Sequence, residues 1–131
     1  RAGRRLHPAL LFMMKFDHLA LPVSSLDRSR AWYIETLGLK VEFEIAARRA
    51  VALQDGEGFA FFLEERSNVV PNGIALWFKV DDVDKTFAEW RARGVAFAHG
   101  PQKNFWGYGP ELKDPDGYLV RLWDERTMRK K

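Results

Sequence analysis

Asp17-His-Leu-Ala-Leu-Pro-Val-Ser-Ser-Leu-Asp27 and Ile74-Ala-Leu-Trp-Phe-Lys-Val-Asp-Asp-Val-Asp84 are two copies of one pattern, and their alignment decides the fold. Val23 falls on Val80, Leu26 on Val83 and Asp27 on Asp84, an offset of 57. Gly38 and Gly94 follow at an offset of 56, and Gly58-Phe-Ala-Phe-Phe-Leu63 matches Gly117-Tyr-Leu-Val-Arg-Leu122 at 59. Self-similarity at a near-fixed spacing marks one supersecondary unit written twice. The drift of one or two residues is what small changes in loop length produce.

Each copy reads the same way. Leu19, Leu21 and Val23 alternate with His18, Ala20 and Pro22, a period of two that predicts a strand over 17–23. Ser24 and Ser25 supply helix-capping oxygens, and Asp27 suits the positive end of a helix over roughly 26–36. Gly38 ends it, because glycine takes the left-handed conformation freely. Alternating runs around 40–46, 49–54 and 59–64 predict three more strands, with the polar turn 55–58 between the last two. In the second copy, Ile74, Leu76, Phe78 and Val80 alternate with Ala75, Trp77 and Lys79. Asp81-Asp82 caps a helix carrying Val83, Phe87 and Trp90 on one face. Strands are predicted near 95–98, 106–112 and 118–124, with Asp114-Pro-Asp-Gly117 as the turn before the last.

These residues resemble the vicinal oxygen chelate proteins: glyoxalase I, extradiol dioxygenases, methylmalonyl-CoA epimerase, fosfomycin-resistance transferases and bleomycin-resistance proteins. The resemblance rests on Asp17–Val23, on Ala31-Trp-Tyr-Ile-Glu-Thr-Leu-Gly-Leu39, on Phe78–Asp84, on Trp106-Gly107 and on Asp114–Leu122. It implies an α+β fold of two tandem βαβββ units, about 16–66 and 73–125, within one domain spanning 16–125. Mixed sheets form a U-shaped cleft, and the helices cover the outer face. Residues 1–15 read as an N-terminal extension with a start near Met13 or Met14, and 126–131 as a basic tail.

Metal-using members place His, Gln or Glu on the cleft side of the first and last strand of each unit. The matching positions here are His18, Phe62, Ala75 and Arg121. Alanine and phenylalanine have no lone pair to offer, and a guanidinium is a permanent cation. The expectation is therefore no metal and no cofactor. A displaced ion site using His18, Glu64 and His99, with Glu111 nearby, is the rival, and His18 and Glu64 are also candidates for metal-free acid–base catalysis. His18 is otherwise a cleft-lining or hydrogen-bonded histidine. Arg121 is either paired with an acid such as Glu64 or an anchor for a substrate anion.

Strand parity points Phe62, Trp77 and Trp123 into the cleft, and Phe105, Trp106 and Tyr108 come from the segment beside it. With His18, Ala75 and Arg121 they form the candidate ligand-binding set. Such a pocket suits a flat or partly anionic organic molecule. The alternatives are that these rings fill the cleft or a dimer interface. Trp32 and Tyr33 are assigned to core or interface, and Trp90 to core.

Three functional classes follow. The first is a metal-independent binding protein for an aromatic or antibiotic-like molecule, as the resemblance to bleomycin-resistance proteins implies; Arg121 argues against their cationic drug. The second is a lyase, isomerase or dioxygenase with a displaced or acid–base site, and the third a structural or interaction module. The resemblance also implies a homodimer.

Composition narrows the partners. The net charge is +3, but eight of the 21 Lys and Arg lie outside 16–124 with a single acid, Glu125, leaving the middle at −4. A nucleic-acid binder carries its basic patch on the folded surface, so nucleic acid is not expected. Leu6–Met14 is far shorter than the ~20 apolar residues of a membrane span, and no signal-peptide cleavage pattern is visible. The absence of cysteine excludes disulfides and thiolate metal sites and fits a reducing cytoplasm, the expected location. Phosphate-binding loops and nucleophile elbows are not found.

Overall fold

The computed structural model describes residue 14 and residues 16–128. Most of the expected N-terminal extension and the last three residues of the basic tail lie outside them. The first unit runs β1 (Leu19–Val23), α1 (Leu26–Glu35), β2 (Lys40–Ile45), a single 3-10 turn (Ala46–Arg48), β3 (Ala50–Gln54) and β4 (Ala60–Glu65). The second runs β5 (Ala75–Lys79), α2 (Val83–Ala92), β6 (His99–Asn104), β7 (Gly107–Lys113) and β8 (Leu119–Trp123), followed by a short α3 (Glu125–Met128). The sheets have the orders β1-β4-β3-β2 and β5-β8-β7-β6. In each, the first and last strands pair in parallel and the rest are antiparallel. The α+β fold of tandem βαβββ units is therefore present.

Two expectations are corrected. The strand expected at 95–98 is absent; Val95 and Phe97 pack into the second core, Ala98 N–H donates to the Glu111 carbonyl at 2.8 Å, and the ladder starts at His99. Residues 99–104 carry Pro101 and little β-character, which an edge strand tolerates because its outer side needs no ladder bond. Residues 126–128, assigned to the tail, belong instead to α3. Arg126, on α3, lies 3.3 Å from Asp82, 3.4 Å from Asp84 and 3.7 Å from Asp124.

Apolar burial decides which face of each sheet meets the helices. Leu21, Val23, Val51, Leu53, Phe61 and Leu63 are buried with α1 in the first core. Val83, Leu112, Val120 and Leu122 form the second, with Trp90 packed against it. Trp32, Leu37, Leu76 and Phe78 touch both, so the cores adjoin through α1 and β5.

The helix caps repeat with the fold. Ser25 and Asp82 accept the backbone N–H of Arg28 and Lys85. A further acceptor, a carboxylate placed where the last strand of the unit ends, takes the first helical N–H. Glu65 takes Leu26 N at 2.9 Å, and Asp124 takes Val83 N at 2.8 Å. Both satisfy donors that a helix leaves unpaired at its start.

The units are clasped by the turn Asp114–Gly117. Asp114 Oδ1 accepts the backbone N–H of Asp116, Gly117 and Tyr118, each at 2.9 Å. Its Oδ2 accepts the Tyr33 hydroxyl of α1 at 2.6 Å. Asp116 accepts the backbone N–H and the hydroxyl of Ser24, and Tyr118 donates its hydroxyl to the Pro22 carbonyl at 2.6 Å. At the far end of α1, Arg93 donates to the carbonyls of Glu35 and Thr36 at 3.1 and 3.3 Å. The second unit thus sets a carboxylate at the positive end of α1 and a guanidinium at its negative end, the favourable sense for both. Burial, then the Asp114 charge, pushes the Tyr33 phenol far above its ordinary value. Burial likewise raises Asp114, against the hydrogen bonds that pull it down.

Tyr33→Phe removes one hydroxyl and leaves a buried carboxylate short of a donor. It is expected to cost about 2 kcal/mol, read from urea unfolding with an unchanged denaturant slope. A second outcome concerns acid. The Arg49 guanidinium and then the Leu26 N–H lower the Glu65 carboxyl from 4.5 to about 2. A depressed carboxylate stabilises the fold above its unfolded value and loses that contribution as pH falls through the folded one. Unfolding titrations between about pH 4.5 and about pH 2 should therefore show a steeper loss in wild type than in Glu65→Gln.

Candidate functional site

With the buried side chains of each strand turned toward the helices, the alternate positions lie on the open faces. Phe62 and Glu64 alternate with buried Phe61 and Leu63; Arg121 and Trp123 alternate with buried Val120 and Leu122. Ala75 and Trp77 alternate with core-packed Leu76 and Phe78. Phe62, Ala75 and Arg121 thus lie on the open faces of the sheets, away from the helices.

The open face of the second sheet is dominated by Arg121. Its Nε donates to Glu111 Oε2 at 2.7 Å, across the β7–β8 register pair. Its guanidinium carbon lies 5.5 Å from the ring centres of Trp77 and Trp106 and 5.2 Å from that of Phe105. Trp77 and Trp106 meet edge to face at 4.8 Å. Arg121 is thus enclosed while the rings keep outer surfaces free, Trp77 being 44% and Phe105 81% exposed. The pairing expected with Glu64 is corrected: Glu64 sits on the other sheet, 2.9 Å from Arg66. Trp123 shares the open face, with Lys79 Nζ 5.9 Å from its ring centre.

Glycine allows the ring cluster to close. A Cβ on Gly109 would come within 2.1 Å of the Leu122 carbonyl oxygen and 3.0 Å of the Trp106 ring. Trp106 therefore crosses β7 where no side chain stands, and its backbone N–H donates to Asn104 Oδ1 at 3.1 Å, shaping the β6–β7 turn.

Tyr108 corrects the expectation that it joins the cleft. It shares the face of Pro110 and Leu112, packs against the second core and donates its hydroxyl to Asp84 on α2 at 2.8 Å. With Phe105, Lys103, Arg126 and Thr127 it borders a cavity of about 580 Å³ at the end of that sheet.

The open face of the first sheet holds a cavity of about 300 Å³ walled by His18, Phe43, Ile45, Ala50, Phe62 and Glu64, with Arg48 and Arg66 at its rim. The His18 ring lies 4.0 Å from that of Phe62, and its Nδ1 stands 2.7 Å from Asp17 Oδ2. Each of these two cavities draws its walls from one unit.

The residues do not suit a metal ion. Two of the four ligand positions have no donor atom, and the third is a cation bound to Glu111. The displaced set is not assembled either. His18 and Glu64 share the first-unit cavity, while His99 lies on β6, 3.7 Å from Glu111. Among the described residues, no group of three or more His, Cys, Asp or Glu is placed to hold an ion. No helix of the described residues is long and apolar enough to cross a membrane.

Paired βαβββ units with helices on one side and an aromatic, arginine-bearing face on the other define a protein of the vicinal oxygen chelate fold. The chain belongs to the Glyoxalase/Bleomycin resistance protein/Dioxygenase superfamily, whose model matches residues 15–122. It is 28% identical over 111 residues to the uncharacterized protein YraH of Bacillus subtilis (strain 168), covering 82% of this chain and 81% of YraH. TnmS3, an antibiotic binding protein from Streptomyces sp. CB03234, superposes with a TM-score of 0.70 at 25% identity, covering 86% of this chain and 97% of TnmS3. A lactoylglutathione lyase from Agrobacterium tumefaciens superposes at 0.67 with 19% identity, covering 86% and 94%.

Gly109→Ala is expected to destabilise the fold by about 2 kcal/mol, as overpacking does. It should also shift the near-ultraviolet circular dichroism of the displaced Trp106.

Proposed function

We propose that this protein binds a planar, anionic organic molecule of antibiotic-like kind on its aromatic face, without a metal ion. The observation that carries the reading is Arg121, anchored by Glu111 and walled by Trp77, Phe105 and Trp106. Rings that keep an outer face free offer stacking area with defined geometry. A guanidinium whose Nε alone is committed to Glu111 keeps its two Nη groups as donors for a carboxylate or sulfonate. The likeness to the antibiotic binding protein TnmS3 supports this reading.

We also infer a homodimer. The half-site of His18 and Phe62 and the half-site of Arg121 and Trp77 lie on different units and leave Phe43, Trp77 and Phe105 exposed. A second copy that set one half-site opposite the other would enclose a ligand between them.

One observation favours a second reading, acid–base catalysis. The bond between His18 Nδ1 and Asp17 holds the ring so that Nε2 is left as the base, in a cavity shared with Glu64. The shared fold with a lactoylglutathione lyase is compatible with it.

Titration with 2-naphthalenesulfonate, followed by tryptophan fluorescence, tests the first reading. Trp77→Ala and Arg121→Gln are each expected to weaken binding at least about tenfold, and chelator treatment to leave it unchanged. Affinity that survives both substitutions, or that vanishes with chelator, rules the reading out. Turnover of a carbonyl substrate that His18→Ala abolishes would establish the second instead.

A further inference from the structure

The bond to Glu111 has a second end. On the open face of the second sheet, His99 pairs with Glu111 across β6 and β7, and Glu111 pairs with Arg121 across β7 and β8. His99 Nε2 lies 3.7 Å from Glu111 Oε1, and Arg121 Nε lies 2.7 Å from Glu111 Oε2. One carboxylate therefore spans two cationic partners, one permanent and one that depends on protonation.

The tautomer follows from chemistry. His99 Nδ1 is 2.7 Å from the Gly100 carbonyl oxygen, which can only accept, so Nδ1 carries the hydrogen. In the neutral ring the bare Nε2 then turns a lone pair toward Glu111 Oε1, and the trio of His99, Glu111 and Arg121 sums to zero charge. A proton gained at Nε2 makes an ion pair with Oε1. Glu111 then divides its charge between two cations, and the trio carries +1.

A cavity beside His99 adds mainly apolar neighbours. Phe87, Val95, Ala96 and Phe97 share its cavity with Gly100, and the one charge that α2 adds is Arg91, 5.8 Å from the centre of the Phe87 ring. Among the described residues, only Glu111 is within salt-bridge distance of the ring. Side-chain exposures of 27% for His99, 16% for Glu111 and 15% for Arg121 keep the chain of charges partly shielded from water.

We propose that His99 and Glu111 are positioning residues that set the charge of the Arg121 anchor, so that His99 Nε2 protonation tightens binding of an organic anion. The inference rests on the ligand reading given above. By linkage, a bound anion must in turn favour the protonated ring.

The test compares 2-naphthalenesulfonate, which stays ionised, with the neutral 2-naphthalenesulfonamide, at about pH 8 and about pH 5.5, a range that brackets the ordinary titration of imidazole. The sulfonate is expected to bind about fivefold more tightly at the lower pH, and the sulfonamide equally at both. His99→Gln should remove most of that difference. Glu111→Gln should raise sulfonate affinity at about pH 8, because the anchor is no longer neutralised. A merely structural histidine would shift affinity without changing its pH profile. If the sulfonate binds with the same pH ratio in His99→Gln as in wild type, the inference is overturned and the ligand reading stands. If neither compound binds at either pH, the ligand reading fails and takes the inference with it.

Discussion

Two buried carboxylates in one turn hold the halves of this molecule together. Asp114 and Asp116 belong to the second unit but spend their acceptor capacity on Tyr33 and Ser24 of the first. Removing a carboxylate from water is costly, and the upward push on Asp114 reflects that cost. Three backbone N–H groups and a phenol offset it. Hydrogen bonds to charged groups contribute roughly twice what neutral ones do. At the other end of α1, Arg93 completes the grip. The two sheets share no strand, so these side chains and the adjoining cores fix where each open face points.

From that placement the chemistry of the faces follows. The same alternation that buries Val120 and Leu122 sends Arg121 outward. The register of β7 against β8 then brings Glu111 to it, and the missing side chain of Gly109 lets Trp106 close over the guanidinium. The first sheet obeys the same rule and arrives at a different surface, with His18 stacked on Phe62 and arginines at the rim. One architecture thus displays two unlike surfaces, one built around a histidine and one around an arginine.

Much of this was legible in the sequence, and the reasons are specific. The offset of 56 to 59 between copies exposed both units, and alternation along β4, β5 and β8 gave the orientation of Phe62, Ala75 and Arg121. The repeat held a further sign that went unread. Glu65, the last residue of β4, and Asp124, one step beyond β8, stand at the same offset of 59, and both cap the helix of their own unit. Strand β6 was hidden because His99–Asn104 contains Pro101 and few residues that favour extended backbone. The partner of Arg121 was out of reach because alternation tells which face a side chain takes but not which strand lies beside it. Tyr108 was misplaced for a related reason: without a fixed start for β7, its parity with Leu112 could not be counted.

Among the described residues, the clasp has no counterpart in the first unit's turn. In the first unit the corresponding turn, Asp55–Gly58, turns its carboxylate inward on Glu57 and Phe59. Each helix nevertheless owes its first cap to a carboxylate of its own unit. After duplication, local order and mutual attachment therefore came under separate sets of residues. One copy keeps the burden of adhesion, while the turn of its twin is released to drift, lengthen or take on new contacts without unfastening the pair.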